Sequence, residues 1–190
     1  EILGYQTDFD FTNATGLKTE QKENSTELSG FLRYKIKSEK LIVDPGVRIY
    51  KYNSLNATFE PRLGVKFIAT NNLRFKLATG KYSQNLVSTN SDQDVVNLFY
   101  GFLSSPDNIP DEFKGEDVIN GLQLSEHIIF GLEYDISSKI DFNIEGYFKD
   151  FNQLTNINKE KLTLTDPDFI IEKGLAKGID VVLKYNDPKL

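Results

Sequence analysis

The sequence predicts an all-β fold, an antiparallel up-and-down barrel that crosses a membrane, and three observations support this prediction. Apolar and polar residues alternate along much of the chain. The alternating stretches are longer than the strands of soluble proteins. Tight and long connections follow one another in turn between these stretches. These features are typical of strands that place one face against lipid and the other against water.

The alternation has a period of two, which is the period of a β-strand with two different faces. In residues 126–136, Phe130 and Leu132 fall on one face, whereas Glu133 falls on the other. Equally clear stretches are 59–69, 73–81 and 139–149. Weaker copies are Ile2–Thr12, 28–37, Leu41–Tyr52 and 175–185, of which the first is the poorest.

These stretches give about eight strands of roughly 10 to 13 residues each. Strands of soluble proteins are most often about 5 or 6 residues long. A strand that crosses a membrane at a tilt needs about 9 to 11 residues. The strand length therefore favours a membrane barrel.

The connections alternate strictly in length. The predicted tight turns are 38–40, 70–72, 137–139 and 186–188. The predicted longer connections are 13–27, 53–58, 85–123 and 153–173. An outer-membrane barrel has short periplasmic turns and long external loops, whereas the Greek-key links of a β-sandwich do not alternate by side. We therefore expect residues 85–123 to lie outside the cell.

The longest connection, 85–123, is where we expect ligand recognition. Residues 92–103 predict a short helix, capped by Ser91 or Asn90 and ended before Pro106. Aromatic side chains give a large contact area at low entropic cost. An alternative is that they anchor the loop on its neighbours or lie in the interfacial girdle. The candidate ligand-binding residues are Asp92, Asp94, Phe99, Tyr100 and Phe102.

The composition argues against several classes of chemistry. The chain contains no cysteine and a single histidine, so disulfides, cysteine zinc sites and histidine metal clusters are excluded. We interpret His127 as a polar position facing the lumen. The spacing of Asp92 and Asp94 matches the start of a calcium loop, but the later ligands are missing. A net charge of −6 argues against sequence-independent binding of nucleic acid. We expect no catalytic residue, no metal and no cofactor.

Charged residues on the polar faces form a further candidate set. They could line a path for an anionic ligand, but the nearby acids favour a mixed, hydrated network inside the lumen. The residues expected to face the lumen are Arg62, Lys66, Arg74, Lys76, Glu133 and Glu145.

Four short motifs resemble strands of TonB-dependent outer-membrane receptors, especially those of Bacteroidetes. The first is Phe-Glu-Pro-Arg-Leu-Gly-Val-Lys-Phe at 59–67, and the second, after a turn, is 73–84. The third is Ser-Glu-His-Ile-Ile-Phe-Gly-Leu-Glu-Tyr at 125–134. The fourth is 173–180, where Asp180 stands in the acidic place of the family pattern. Each motif is short, but the four occur in the family's order over residues 58–185.

The resemblance implies part of a larger barrel of about 22 strands. It implies active uptake of a bulky nutrient, such as a siderophore, a peptide or an oligosaccharide. The implied partners are outer-membrane lipid, an extracellular nutrient and the inner-membrane TonB complex, with a surface lipoprotein as a further candidate. We expect an internal piece of a longer mature protein, with the plug domain and TonB box elsewhere.

One alternative from a different class stays open at this point. A soluble or surface-attached β-sandwich with a binding or adhesive role would also show strands with one apolar face. Its apolar faces would meet each other instead of lipid, and it would transport nothing.

Overall fold

The computed structural model describes residues 1–12, 16–53, 57–88, 102–104, 109–110, 112–118 and 121–186. Within these ranges the chain is all-β, and no helix there is long and apolar enough to span a bilayer. The strands are β1 (Ile2–Thr12), β2 (Lys18–Arg33), β3 (Ile36–Lys37), β4 (Leu41–Tyr52), β5 (Thr58–Ile68), β6 (Leu73–Gln84), β7 (Leu86–Ser88), β8 (Phe102–Ser104), β9 (Glu112–Phe113), β10 (Glu116–Asp117), β11 (Gln123–Ser137), β12 (Ile140–Ile157) and β13 (Phe169–Tyr185).

One large antiparallel sheet contains the long strands in the order β1-β2-β4-β5-β6-β11-β12-β13, and β3 pairs with β4. Every long strand therefore lies beside the next long strand of the sequence, as in an up-and-down barrel. The short strands form two separate ribbons, β7 with β8 and β9 with β10. Of the two interpretations, this meander matches the barrel and differs from a Greek-key sandwich.

The tight turns cluster at one end of the sheet, which we call the short-turn end. The turn at 70–72 is held by Thr70, whose hydroxyl accepts hydrogen bonds from the amides of Leu73 at 3.0 Å and Asn72 at 3.3 Å. The turn at 38–40 is closed by the Ser38 amide, which donates to the Leu41 carbonyl at 2.8 Å. Short polar side chains of this kind stabilise turns by bonding to nearby backbone. The predicted turn at 186–188 lies outside the described residues after Asn186.

The opposite end, which we call the long-connection end, corrects two predicted loops. Residues 18–27 of the predicted loop 13–27 belong to β2, and β12 and β13 take both ends of the predicted loop 153–173. Residues 18–27 are polar on both faces, and the segments 153–157 and 169–173 mix apolar and polar residues on both faces, so alternation of hydrophobicity could not reveal them. They nevertheless pair in register, for example Phe9 with Gln21. The strands thus continue well beyond the stretches that show a period of two.

The helix predicted at 92–103 is wrong at its carboxyl end. Phe102 and Leu103 belong to β8, which pairs with β7 through Val87 and Leu103. The two residues follow Gly101 and form one arm of a ribbon because Leu86–Ser88 offers them a strand partner. The rest of the predicted helix lies outside the described residues.

The sheet is curled into a half-barrel, and its two faces differ in character. Tyr50, Tyr52 and Glu60, on the inner side of the curl, are no more than 2% exposed. Phe59, the chain neighbour of Glu60, points to the other side and is 65% exposed. We call the inner side the concave face and the other side the outward face. The concave face buries polar residues, whereas the outward face exposes apolar ones, the reverse of a soluble protein.

The two edges of the sheet approach each other at the long-connection end. Phe9 and Phe11 of β1 pack against the buried pair Ile157 and Phe169 of β12 and β13. The Thr19 hydroxyl of β2 donates to the Asp168 carboxylate at 2.8 Å, across 149 positions of sequence. These side-chain contacts join the ends of the strands, and among the described residues no ladder pairs β1 with β13.

Candidate functional site on the concave face

A network of ion pairs covers the concave face near the short-turn end. We call it the lower network. Glu133 of β11 is its centre, since its two oxygens lie 2.8 Å from the Lys66 ammonium, 3.1 Å from Arg74 Nε and 2.9 Å from the Lys76 ammonium. Arg74 also forms a two-pronged pair with Asp135. The forked guanidinium suits such bidentate pairing with a carboxylate.

The lower network extends over Gly131. Lys76 of β6 and Glu145 of β12 lie on the two strands that flank β11, and their charged atoms meet at 2.7 Å. A Cβ atom on Gly131 would lie 3.1 Å from Glu145 Cγ and 3.3 Å from Lys76 Cε. The missing side chain therefore leaves the room in which the two neighbours meet. Three cations and three carboxylates balance in this network: Lys66, Arg74, Lys76, Glu133, Asp135 and Glu145.

A second cluster, which we call the upper cluster, lies closer to the long-connection end. Its centre is Glu60, which accepts hydrogen bonds from Ser83 Oγ at 2.5 Å and from Arg62 at 2.9 Å. Arg48 Nη1 lies 3.5 Å from both oxygens of the same carboxylate. The burial of Glu60 is tolerated because donors surround it, since an unpaired buried charge costs much free energy. Two guanidinium groups share one carboxylate, so the upper cluster carries a net positive charge.

Aromatic rings extend the upper cluster along the concave face. Arg48 lies over the ring of Tyr50 at 4.5 Å, and Arg62 over the ring of Tyr82 at 4.4 Å. Tyr82 stacks on His127 with 4.5 Å between ring centres, and His127 meets Phe151 edge-on at 6.2 Å. Cation–π contacts of this kind hold a guanidinium in place without using its hydrogen-bond donors. The arrangement can therefore present arginine donors to a ligand.

The six residues expected to face the lumen all lie on the concave face. Five of them belong to the lower network and Arg62 belongs to the upper cluster. That the concave face is a hydrated lumen stays a prediction. Of the predicted ligand-binding residues, Asp92, Asp94, Phe99 and Tyr100 lie outside the described residues. Phe102 lies in β8, away from the helix in which it was expected.

Sequence reasoning missed the aromatic part of the site. Tyr50, Tyr82 and Phe151 were not candidates, because each reads as an ordinary member of an alternating strand. One available signal was their position in the alternation: each falls on the polar face of its strand, opposite a serine or threonine in the pairing register. An aromatic residue on a polar face has a partner other than lipid.

The charged groups of the site are paired with one another. Within the part of the chain that the structure describes, no three histidine, aspartate or glutamate residues are grouped as a metal would need. The carboxylates of both clusters are already engaged by lysine and arginine, which leaves them unsuited to ligate a cation.

The fold and the concave site together define a class of structure: part of an up-and-down β-barrel with a polar inner wall. Over 86% of this chain the structure is similar to the crystal structure of the siderophore receptor PirA from Pseudomonas aeruginosa, with a TM-score of 0.59 and 11% sequence identity. The similar region covers 32% of that chain, so this chain spans about a third of the receptor it resembles. At this identity the likeness concerns the fold. No protein-family model and no curated protein sequence matches the chain.

Proposed function

We propose that this chain is a wall segment of an outer-membrane β-barrel of the TonB-dependent receptor type. The barrel takes up a bulky nutrient, such as a siderophore, a peptide or an oligosaccharide, and carries out no chemical reaction. One observation carries the proposal: the sheet exposes its large apolar side chains on the outward face and gathers paired, partly buried charged ones on the concave face. Water does not stabilise such a sheet, whereas a lipid bilayer around a hydrated lumen does.

The outward face supports a membrane location in more detail. Rows of apolar residues cross the sheet from β4 to β13, and among them Phe130 is 55% and Ile179 71% exposed. Above these rows Lys81 of β6 pairs with Glu126 of β11 at 2.8 Å on the outward face. Below them lie Tyr134 and Tyr185, close to the short-turn end. An apolar band between a charged row and a tyrosine girdle is typical of membrane barrels.

The orientation follows from the connections. Short turns belong to the periplasmic side of such barrels and long connections to the external side. The long-connection end therefore faces the medium, and the lower network lies deeper in the barrel than the upper cluster. The fold likeness to PirA supports the barrel class. The Bacteroidetes type rests on the four sequence motifs alone, and so do coupling to an inner-membrane TonB complex and a surface lipoprotein partner.

Single-cysteine labelling tests the proposal. The natural chain has no cysteine, so each variant carries one thiol. Phe75→Cys, Phe130→Cys and Phe142→Cys should react with a lipid-soluble maleimide and resist a charged, water-soluble one in intact outer membranes. Lys76→Cys, Glu133→Cys and Glu145→Cys should show the opposite preference. A charged reagent that labels the phenylalanine row and spares the other would refute the barrel.

A further inference from the structure

A cleft of about 430 Å³ opens on the concave face beside the upper cluster. Its base is made of small residues, Gly46, Gly64 and Ala78, on three adjacent strands. Side chains from the rows above and below enclose the space that these small residues leave. This volume is within the range of small-molecule sites.

Positive charge dominates the lining of this cleft. Arg33, Arg48 and Arg62 line it, whereas Asp44 is the one acidic residue among its lining residues. Arg33 is already paired with Asp44 in a two-pronged contact. Glu60, which both other arginines approach, is only 2% exposed and does not line the cleft. The surface that a ligand meets is therefore cationic, unlike the balanced lower network.

Arg48 is the arginine best placed to bind a further anion. Glu60 is held at 2.9 Å by Arg62 and at 2.5 Å by Ser83, whereas its distance from Arg48 is 3.5 Å. Arg48 is fixed over Tyr50 and keeps donors for another acceptor. Arg62 keeps part of its guanidinium within reach of the cleft, because its side chain is 40% exposed while it bonds to Glu60.

An exposed aromatic ring lies beside Arg48. Phe31 of β2 is directly opposite Arg48 in the pairing register, lines the same cleft and is 82% exposed. Tyr82 lines the cleft on the other side, but Arg62 and His127 already contact its ring. Phe31 is thus the aromatic surface available to a planar group that enters the cleft.

We propose that this cleft binds a carboxylate attached to a planar ring, with the carboxylate on Arg48 and Arg62 and the ring against Phe31. Guanidinium groups match the geometry of a carboxylate, and an aromatic ring adds contact area at low entropic cost. The role of this cleft in uptake rests on the proposed function, in which the cleft would be an intermediate binding site for the nutrient inside the barrel. The binding itself needs only the folded sheet.

The probe is 4-fluorobenzoate, titrated against the full protein in detergent and followed by fluorine NMR. The neutral 4-fluorobenzamide is its matched control ligand. We expect benzoate to bind with an affinity about tenfold higher than the amide, because a charge-assisted hydrogen bond contributes about twice as much as a neutral one. Equal binding of the two ligands, or none of either, would overturn the proposal.

Three variants locate the site. Arg48→Gln should weaken benzoate binding about tenfold, while Arg62 and Ser83 still hold Glu60, so folding is preserved. Phe31→Ala should weaken benzoate binding severalfold. The substitution should not destabilise the fold, because the ring is exposed. Lys81→Gln, which removes a cation from the outward face, away from both clusters, should change nothing. Undiminished benzoate binding in the first two variants would exclude the cleft as the binding site. The cysteine-labelling experiment tests the barrel independently of this result.

Discussion

Lys76 and Glu145 form an ion pair across the strand that separates them, and they do so above Gly131. A side chain on the middle strand of three normally keeps its two neighbours apart. The glycine of β11 removes that obstacle, so β6 and β12 are linked directly on the concave face. The pair therefore adds a connection that the backbone ladders alone do not make.

Gly131→Val should separate this pair and destabilise the sheet. Its side chain would occupy the space of Glu145 Cγ and Lys76 Cε, and overpacking of this kind costs about 1 to 2 kcal/mol. The measurement is the free energy of unfolding in lipid vesicles. The control is Gly146→Val on the adjacent strand, where the nearest atom to an added Cβ is 4.0 Å away. Equal losses in the two variants would remove the special role of Gly131.

Ile144→Arg should be costly if the outward face of β12 lies in lipid. Ile144 pairs with Leu132 and Val181 in the middle row of the outward apolar band. An arginine near the middle of the bilayer costs about 2 to 4 kcal/mol in such barrels. Ile144→Leu should be close to neutral in the same unfolding experiment. A loss for arginine no larger than that for leucine would place this face in water.

Asp168→Asn should loosen the long-connection end of the sheet. The Asp168 carboxylate accepts bonds from Thr19 Oγ1 at 2.8 Å and from the Lys161 ammonium at 2.7 Å, and the Lys161 side chain is only 6% exposed. Weakening a partly buried charged contact costs about 1 to 3 kcal/mol. Amide hydrogen exchange in 158–168 and at the start of β2 should accelerate accordingly. Glu160→Gln, an exposed change in the same connection, should leave exchange as it was.

The connection 158–168 should also respond to acid. The backbone amides of Thr163 and Leu162 donate to the Asp166 carboxylate at 2.8 and 3.0 Å, and these bonds lower the pKa of Asp166 from its ordinary value. Because the folded pKa is lowered, the ionised group stabilises the turn above the ordinary pKa. This contribution is lost as the pH falls through the lowered value.

Hydrogen exchange of the Leu162 and Thr163 amides, compared with a reference amide in β12, measures this effect. Protection should be complete near neutrality and decline below about pH 4, the ordinary range of an aspartate. In Asp166→Ala the two amides should be unprotected at every pH. A wild-type profile that stays flat down to pH 2 would show that another group holds the turn.

Deleting 91–101 should abolish nutrient binding if recognition lies in the 85–123 connection. The deletion stops before Phe102 because Phe102–Ser104 pairs with Leu86–Ser88. The assembled barrel should remain heat-resistant on gels, since the long ladders are untouched. Normal uptake by this variant, at normal surface levels, would exclude the segment and shift attention to the connection 158–168.

The fold class followed from the sequence because alternation of hydrophobicity records which face of a strand is apolar. That signal ends where the apolar band on the outward face ends. The first half of β2 is polar on both faces, and only its partner β1 makes it a strand. The residues of the polar face could likewise be predicted as a group, because Arg62, Lys66 and Glu133 stand at alternate positions of their strands. Their partners depend on which strands become neighbours, and Glu60 in particular gains Ser83 only through the ladder of β5 with β6.

The order of strands in the large sheet has a consequence for assembly. Each long strand pairs with the next one in the sequence, and only the pairing of β6 with β11 spans a long interval, residues 85–122. The wall can therefore grow one hairpin at a time, with contacts that are mostly local and hence fast to form. Closing the one long interval costs little more as it lengthens, about 0.6 kcal/mol for each doubling. Insertions there can therefore lengthen this connection while the order of folding stays the same.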